Sequence, residues 1–239
     1  MTKPRPYLHS KRMFIDTYFL ILVAPTLILS MTAQVKVKST FSKYSHIRCS
    51  RNISGRDAAL LLLKSNSIKD VAVEPVQGSL SDHYDPSSKK LRLSEPVYGQ
   101  PSIAAVGVAA HEAGHAIQHA TGYAPLVLRS TLVPVANIGS RVGPLIAVAG
   151  LIFSETMPML FNIGIVLFSA AVLFYVITLP VEFNASARAL ALLRRNNVLS
   201  PQELEGAKKV LTAAALTYVA SALTAIMSLL RLILLSRRR

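Results

Sequence analysis

The chain has no tryptophan, a single cysteine and no aspartate beyond Asp85. A lone Cys49 excludes an internal disulfide and any metal site built from several thiolates, so a bound metal must be held by nitrogen and oxygen ligands. Acids are scarce: 12 Asp and Glu stand against 26 Lys and Arg in 239 residues, a net charge of +14. That balance invites a nucleic-acid reading. The bases, however, are not interleaved with aromatic rings that could stack on nucleotides, and they flank apolar runs. Lysine and arginine so placed face anionic lipid headgroups. The hydrophobic fraction of 51% and the positive mean hydropathy are high for a soluble domain. These features predict a membrane protein with no nucleic-acid partner.

What is present is concentrated between Ser102 and Gly122. This stretch holds His111-Glu112-Ala113-Gly114-His115, a match to H-E-x-x-H whose chance expectation at this composition is roughly 0.004. Residues four apart lie one turn apart on one helix face, so His111 and His115 can grip a single zinc ion. Glu112 then borders the ion's open side, where a carboxylate can take a proton from water that zinc has acidified. Pro101 and Ser102 supply a turn and an N-cap, residues 103–121 contain no proline, and Gly122 is a natural stop. The residues before His111 are almost all small or apolar. The spacing therefore predicts a buried helix over 102–121, in which an idle Glu112 would be costly.

Taken in order, residues 1–12 form a basic tail and residues 13–33 a first transmembrane helix, with Asp16 near its outer end and Pro25 inside it. The apolar run leads into a basic segment without an Ala-x-Ala site, unlike a cleaved signal peptide. Residues 34–132 read as a small α+β core. Ser54 caps a helix ending near Asn66, and Val71 to Val76 alternates as an edge strand able to hold Pro75. Leu80 to Asp85 and Lys90 to Ser94 make a hairpin around Pro86 to Lys89. Leu91, Arg92, Leu93 and Ser94 are candidates for a free edge that pairs with an extended substrate. Residues 133–180 predict a transmembrane hairpin, ended by Pro180. A helical segment follows over 181–209, with a capping box at Ser200 and Glu203, and residues 210–239 form a C-terminal membrane helix with a basic end.

Two histidines leave zinc short of the third protein ligand usual in catalytic sites. His119 lies two turns beyond His111 but is rotated by about 80°, which puts it beside the ion or on the surface. The acids after His115 are Glu155, Glu182, Glu203 and Glu205. Glu155 falls in the far turn of the hairpin, and Glu203 and Glu205 open a helix, where acids are expected anyway. Glu182 follows the third span on the same side as the motif and opens a helix of small residues that can pack closely. His111, His115 and Glu182 are thus the expected ligands of one Zn2+ per chain, a gluzincin arrangement, with Glu112 catalytic. Tyr84, His83 and Arg188 are candidates for stabilising an oxyanion.

The runs Ser81 to Pro86, Leu91 to Tyr98, Ser102 to Gly122 and Leu179 to Ser186 resemble the YugP-type neutral zinc metallopeptidases of bacterial membranes. The resemblance extends from Met13 to the last span, and residues 1–12 look like an extension. A more distant likeness is to HtpX-type membrane gluzincins. There the third ligand is the Glu of an E-x-x-x-D motif whose Asp supports a zinc histidine. Glu182 matches that Glu, while Ser186 stands in the Asp position; support for the histidine is left open, with Asn184 and Asp82 as substitutes.

The expected architecture is an α-rich membrane protein with a small α+β zincin-like metalloprotease core. It has an H-E-x-x-H helix, a second helix bearing Glu182, and four transmembrane or membrane-associated helices. The expected activity is hydrolysis of peptide bonds in membrane or misfolded proteins. Its partners are the bilayer and a protein or peptide substrate, with an oligomer or a regulatory membrane partner left open. A site-2 type intramembrane protease would need an Asp ligand from a later span, which this chain lacks. The alternative from another class is a catalytically silent zinc-binding membrane scaffold or chaperone. Near span ends, 11 bases from Lys36 to Lys209 share the side of the motif, against Lys3, Arg5, Lys11, Arg12 and Arg237 to Arg239 on the other. The positive-inside rule then places the site at the cytoplasmic face of the cell membrane.

Overall fold

The computed structural model describes residues 16–237. The tail over residues 1–12, the first residues of the expected first span, and Arg238 and Arg239 lie outside the described residues. In chain order, a π-helical stretch Phe19–Val23 continues into α1 (Ala24–Ser45). It is followed by α2 (Gly55–Ser65), β1 (Ala72–Val76), β2 (His83–Asp85), β3 (Lys90–Ser94) and a one-turn α3 (Glu95–Tyr98). Four further helices complete the chain: α4 (Ile103–Ala120), α5 (Ala124–Ile152), α6 (Met159–Arg195) and α7 (Pro201–Ser236). These elements fall into two compact units, and each long helix other than α4 contributes a stretch to both.

One unit comprises Ala33–Leu132 and Val176–Val219. Its centre is α4. Ser102 Oγ accepts from the Ala105 N–H at 3.1 Å and starts the helix. At its end Tyr123 N–H donates to the Gln118 carbonyl at 2.9 Å and Gly122 N–H to the His119 carbonyl at 3.1 Å. Gly122 itself sits at φ +62°. This Schellman turn needs the left-handed conformation that glycine adopts without strain. Between the caps, alanine and glycine let neighbours close in on all sides, so that α4 is buried over most of its length. A Cβ added at Gly114 would lie 2.7 Å from the Ala185 carbonyl oxygen, so α4 and α6 meet backbone to backbone there. Ser54 Oγ caps α2 through the Asp57 N–H at 3.1 Å and aligns Ala58, Ala59, Leu62 and Leu63 as its buried stripe.

The sheet has the order β1-β3-β2, with β1 parallel and β2 antiparallel to β3. The expected hairpin is present, and β1 is an edge, as Pro75 requires. The expectation of a free edge is corrected for Leu91 and Arg92. Leu91 and Arg92 lie in the central strand and pair with β1 on one side and β2 on the other, which leaves them no free edge for a substrate. Leu93 and Ser94 pair with β1 alone, and the Ser94 N–H is taken by Asp82 Oδ1. Leu91 and Leu93 are fully buried, which a two-sided strand favours.

A second correction concerns Pro180. The helix expected to end there continues through it as α6, from Met159 to Arg195. An internal proline forfeits one helical hydrogen bond and crowds the carbonyl four residues back, a loss of about 3 kcal/mol. Here Val181, Glu182, Ala185 and Ala189 beyond it are buried, and burial on that scale holds both halves in register. The expected boundary between residues 180 and 181 therefore falls inside one element. The capping box forms: Ser200 N–H donates to Glu203 Oε2 at 2.7 Å and Glu203 N–H to Ser200 Oγ at 3.3 Å. From it α7 runs unbroken to Ser236.

The other unit comprises Val133–Tyr175 and the described parts of Met1–Thr32 and Ala220–Arg239. Gly139, Gly143 and Gly150 of α5 and Gly164 of α6 leave no room for a Cβ between the paired backbones, the close contact that small residues permit in membranes. Ile138, Leu145, Val166 and Leu173 point outward, 50–70% exposed, an apolar surface suited to lipid. Asp16 accepts from Arg231 Nε at 2.9 Å and Nη2 at 2.6 Å, so both charges are paired. Among the described residues, four helices are long and apolar enough to cross a membrane: Phe19–Ser45, Ala124–Ile152, Met159–Arg195 and Pro201–Ser236. The chain is an α-rich membrane protein with a small α+β core.

Candidate metal centre

The i, i+4 spacing on α4 stacks the His111 and His115 rings edge to face, with centroids 4.7 Å apart. The Gly114 contact brings α6 against them, and Glu182, one turn before Ala185, points its carboxylate between the rings. Glu182 Oε2 lies 3.2 Å from His111 Nε2 and 3.5 Å from His115 Nε2. Among the described residues, these three side chains offer ligand atoms all within 4.8 Å of one another. Glu182 is 2% exposed.

The far side of each ring shows whether a cation suits this cluster. Gln118 Nε2 donates to the Val181 carbonyl at 2.8 Å and to Asn184 Oδ1 at 3.0 Å. A carbonyl only accepts, so the Gln118 oxygen must be the atom 3.0 Å from His115 Nδ1. His115 Nδ1 is therefore the protonated nitrogen, and in the neutral ring the Nε2 lone pair points at Glu182. His111 Nδ1 is held by Ser186 Oγ at 3.1 Å. Arg129 Nη1 donates to Glu182 Oε1 at 3.3 Å and leaves Oε2 to the histidines. The Nε2 lone pair of His115 thus faces the Glu182 carboxylate in a buried place, with His111 Nε2 beside them, an opposition that a proton or a cation reconciles. Two imidazoles and a carboxylate form a donor set that fits zinc.

Glu112 is 8% exposed. It opens on a cleft of about 210 Å³ with His111, Asp82, Val108 and Tyr218. Its carboxylate makes no hydrogen bond to any described residue, in contrast to Glu182. Tyr218 of α7 is half-buried and lines the same cleft. Asp82 accepts from Ser94 N–H at 2.7 Å and Ser94 Oγ–H at 2.9 Å. Burial pushes its carboxyl above the ordinary range despite those bonds, and the nearby charge of Glu112 adds to the rise.

The other residues singled out by the sequence are placed differently. His119 is outside the convergent group and bonds Tyr84 through Nδ1 and the phenol oxygen, 2.8 Å apart. These two line a separate cavity with Asp70 and Lys89. Burial, aided by Asp70 and Asp85, pushes the Tyr84 hydroxyl up to about 12. His83 is exposed, with Nδ1 2.8 Å from the Ser81 carbonyl. Arg188 donates to Asn184 Oδ1 at 2.7 Å and lies over the Tyr123 ring. None of Tyr84, His83 and Arg188 lines the Glu112 cleft. Ser186 reaches a histidine directly, and Asn184 does so through Gln118. Sequence reasoning missed Gln118, Arg129 and Tyr218. Gln118 had a signal, one turn beyond His115 on the same helix; Arg129 and Tyr218 are remote in sequence and had none.

The sequence pattern of a family described as "Putative neutral zinc metallopeptidase" matches residues 19–237. The chain is 48% identical over 217 residues to "Putative membrane protease YugP" of Bacillus subtilis (strain 168), covering 91% of this chain and 96% of that protein. No solved structure matches. Convergent histidines and glutamate, four membrane-length helices and a match over nearly the whole chain agree, and the chain belongs to this family of putative neutral zinc metallopeptidases.

Proposed function

We propose that the protein is a membrane-anchored zinc metalloendopeptidase. It cleaves membrane or misfolded proteins at the cytoplasmic face, with one zinc ion held by His111, His115 and Glu182. The observation that carries this reading is the Glu112 carboxylate. It faces a cleft beside three converging ligand atoms and spends no hydrogen bond on any described residue. A structural site would gain nothing from a buried, unbonded carboxylate at its mouth. Zinc bound there supplies Lewis acidity, lowering the pKa of water and polarising a peptide carbonyl.

The chain's own groups do the rest. Glu112 takes the proton of the attacking water on a carboxylate oxygen and returns it to the leaving amide nitrogen. Gln118 and Ser186 fix the far nitrogens of the two rings, so that both Nε2 atoms stay aimed at Glu182. Arg129 holds the second oxygen of Glu182. Tyr218, on the cleft wall, has a hydroxyl that can donate to the carbonyl oxygen as charge builds on it.

The test is Glu112→Gln in purified full-length protein. Zinc content should equal wild type, while cleavage of an unfolded protein substrate should fall by about 10²–10⁴-fold. Retained hydrolysis would remove Glu112 from the mechanism. Stoichiometric zinc in a wild type that cleaves nothing would favour a zinc-holding scaffold.

A further inference from the structure

Away from the metal centre, α1 and α7 enclose a groove of about 660 Å³. Lys36 and Lys43 line it from α1, seven residues apart and so on one helix face; Glu205, Lys208 and Lys209 line it from α7. The helices close on each other beside it, where a Cβ added at Gly206 would lie 2.8 Å from the Tyr44 ring. Four lysines and one glutamate leave three net positive charges in the groove. Lys208 Nζ is 3.9 Å from Glu205, and among the described residues no carboxylate pairs with the other three amines. Like charges gathered in one groove repel, and an anion among them relieves that cost. Thr212 adds a hydroxyl that can donate to an anionic oxygen.

The position of the groove selects the anion. The 17 residues Phe19 to Val35, directly before Lys36, carry no charge, and neither do the 21 residues Val210 to Leu230, directly after Lys209. Both uncharged runs end at the groove. Its amines therefore stand where a bilayer's phosphates lie, with apolar helix beyond them for an acyl chain. We propose that this groove binds the phosphate headgroup of an anionic phospholipid, clamped by Lys36 and Lys43 from α1 and by Lys208 and Lys209 from α7. The neighbouring residues Val37 and Val210 line the Glu112 cleft, so a headgroup bridging α1 and α7 also ties together two walls of that cleft. The site does not depend on the peptidase reading.

The test uses the delipidated full chain in neutral detergent and native mass spectrometry. Phosphatidylglycerol and phosphatidylcholine with identical acyl chains are added, with and without inorganic phosphate. Wild type should retain phosphatidylglycerol about tenfold better than phosphatidylcholine. Lys36→Gln/Lys43→Gln/Lys208→Gln/Lys209→Gln should lose that preference, whereas Lys64→Gln/Lys69→Gln/Lys89→Gln/Lys90→Gln, with the same change in charge, should keep it. All four groove lysines are exposed, so the fold should survive. The pairs Lys36→Gln/Lys43→Gln and Lys208→Gln/Lys209→Gln, each expected to weaken the preference several-fold, test the same point separately. Equal retention of the two lipids by wild type, or an unchanged preference in the groove variants, would overturn the proposal. Full displacement by millimolar inorganic phosphate would make this a site for a free anion and overturn the lipid assignment.

Discussion

Gly114→Ala is the smallest change that should dismantle the metal centre without touching a ligand. Its Cβ would lie 2.7 Å from the Ala185 carbonyl oxygen and 3.3 Å from the Ala185 carbonyl carbon and Cα, where ordinary contact begins at 3.4 Å. The obstacle is backbone and cannot rotate away. Relief requires α6 to withdraw by about 0.7 Å, the difference between 3.4 and 2.7 Å. Glu182 rides on α6 one turn from Ala185, while both histidines stay on α4. Zinc sites tolerate deviations of roughly 0.2 Å in ligand distance, so the triad cannot follow. Zinc affinity should fall on the order of 10–100-fold, the loss seen when groups supporting a metal site are disturbed.

Two opposed terms set the stability of this variant. Alanine is favoured over glycine inside a helix by about 1 kcal/mol, and overpacking costs about 1–3 kcal/mol, so the apo protein should be modestly destabilised. Gly107→Ala is the internal control. It gains the same propensity, but its Cβ would sit 3.3 Å from the Ala207 methyl, short of ordinary contact by only about 0.1 Å. The assay is competition for zinc against a chromophoric chelator, with thermal unfolding in EDTA and in zinc. Wild-type zinc affinity in Gly114→Ala, with no drop in melting temperature, would refute the link from the Gly114 contact to the placement of Glu182.

Glu182→Ala should lower zinc affinity by orders of magnitude and His119→Ala should leave it nearly unchanged; the reverse, by metal analysis, would reassign the third ligand. Gln118→Met strips His115 Nδ1, the Val181 carbonyl and Asn184 of a partner and should cost about 10–100-fold in zinc affinity, while Gln118→Glu keeps an acceptor for His115 and should cost less. Equal losses in these two variants would count against the tautomer assigned to His115. For orientation, Ser87→Cys and Thr156→Cys are introduced separately into Cys49→Ser and exposed on intact cells to a membrane-impermeant thiol reagent. Thr156→Cys should label and Ser87→Cys should not, and the opposite pattern would invert the topology.

Helix periodicity, caps and composition decided much of this protein before any folding is considered. The pairing of His111 with His115 needs only 3.6 residues per turn, and the limits of α4 follow from Ser102 and Gly122. Glu182 was legible for a different reason: acids after His115 are so few that elimination could reach it. The two-sided place of β3 was not legible. Which strands flank a strand is settled by contacts distant in sequence, and its short apolar pattern suits an edge as well as a centre. The continuity of α6 through Pro180 was hidden for the same reason, since the local rule for proline is outweighed by burial of Val181, Glu182 and Ala185 against other elements. Tertiary structure also chose among side chains that looked alike in sequence. It set Tyr84 against His119, turned Gln118 toward His115, and brought Arg129 to Glu182 and Tyr218 to the Glu112 cleft. Backbone periodicity is a local property and leaves its mark in the sequence; the convergence of side chains from four helices depends on how the backbones approach, as α4 and α6 do at Gly114, and leaves none.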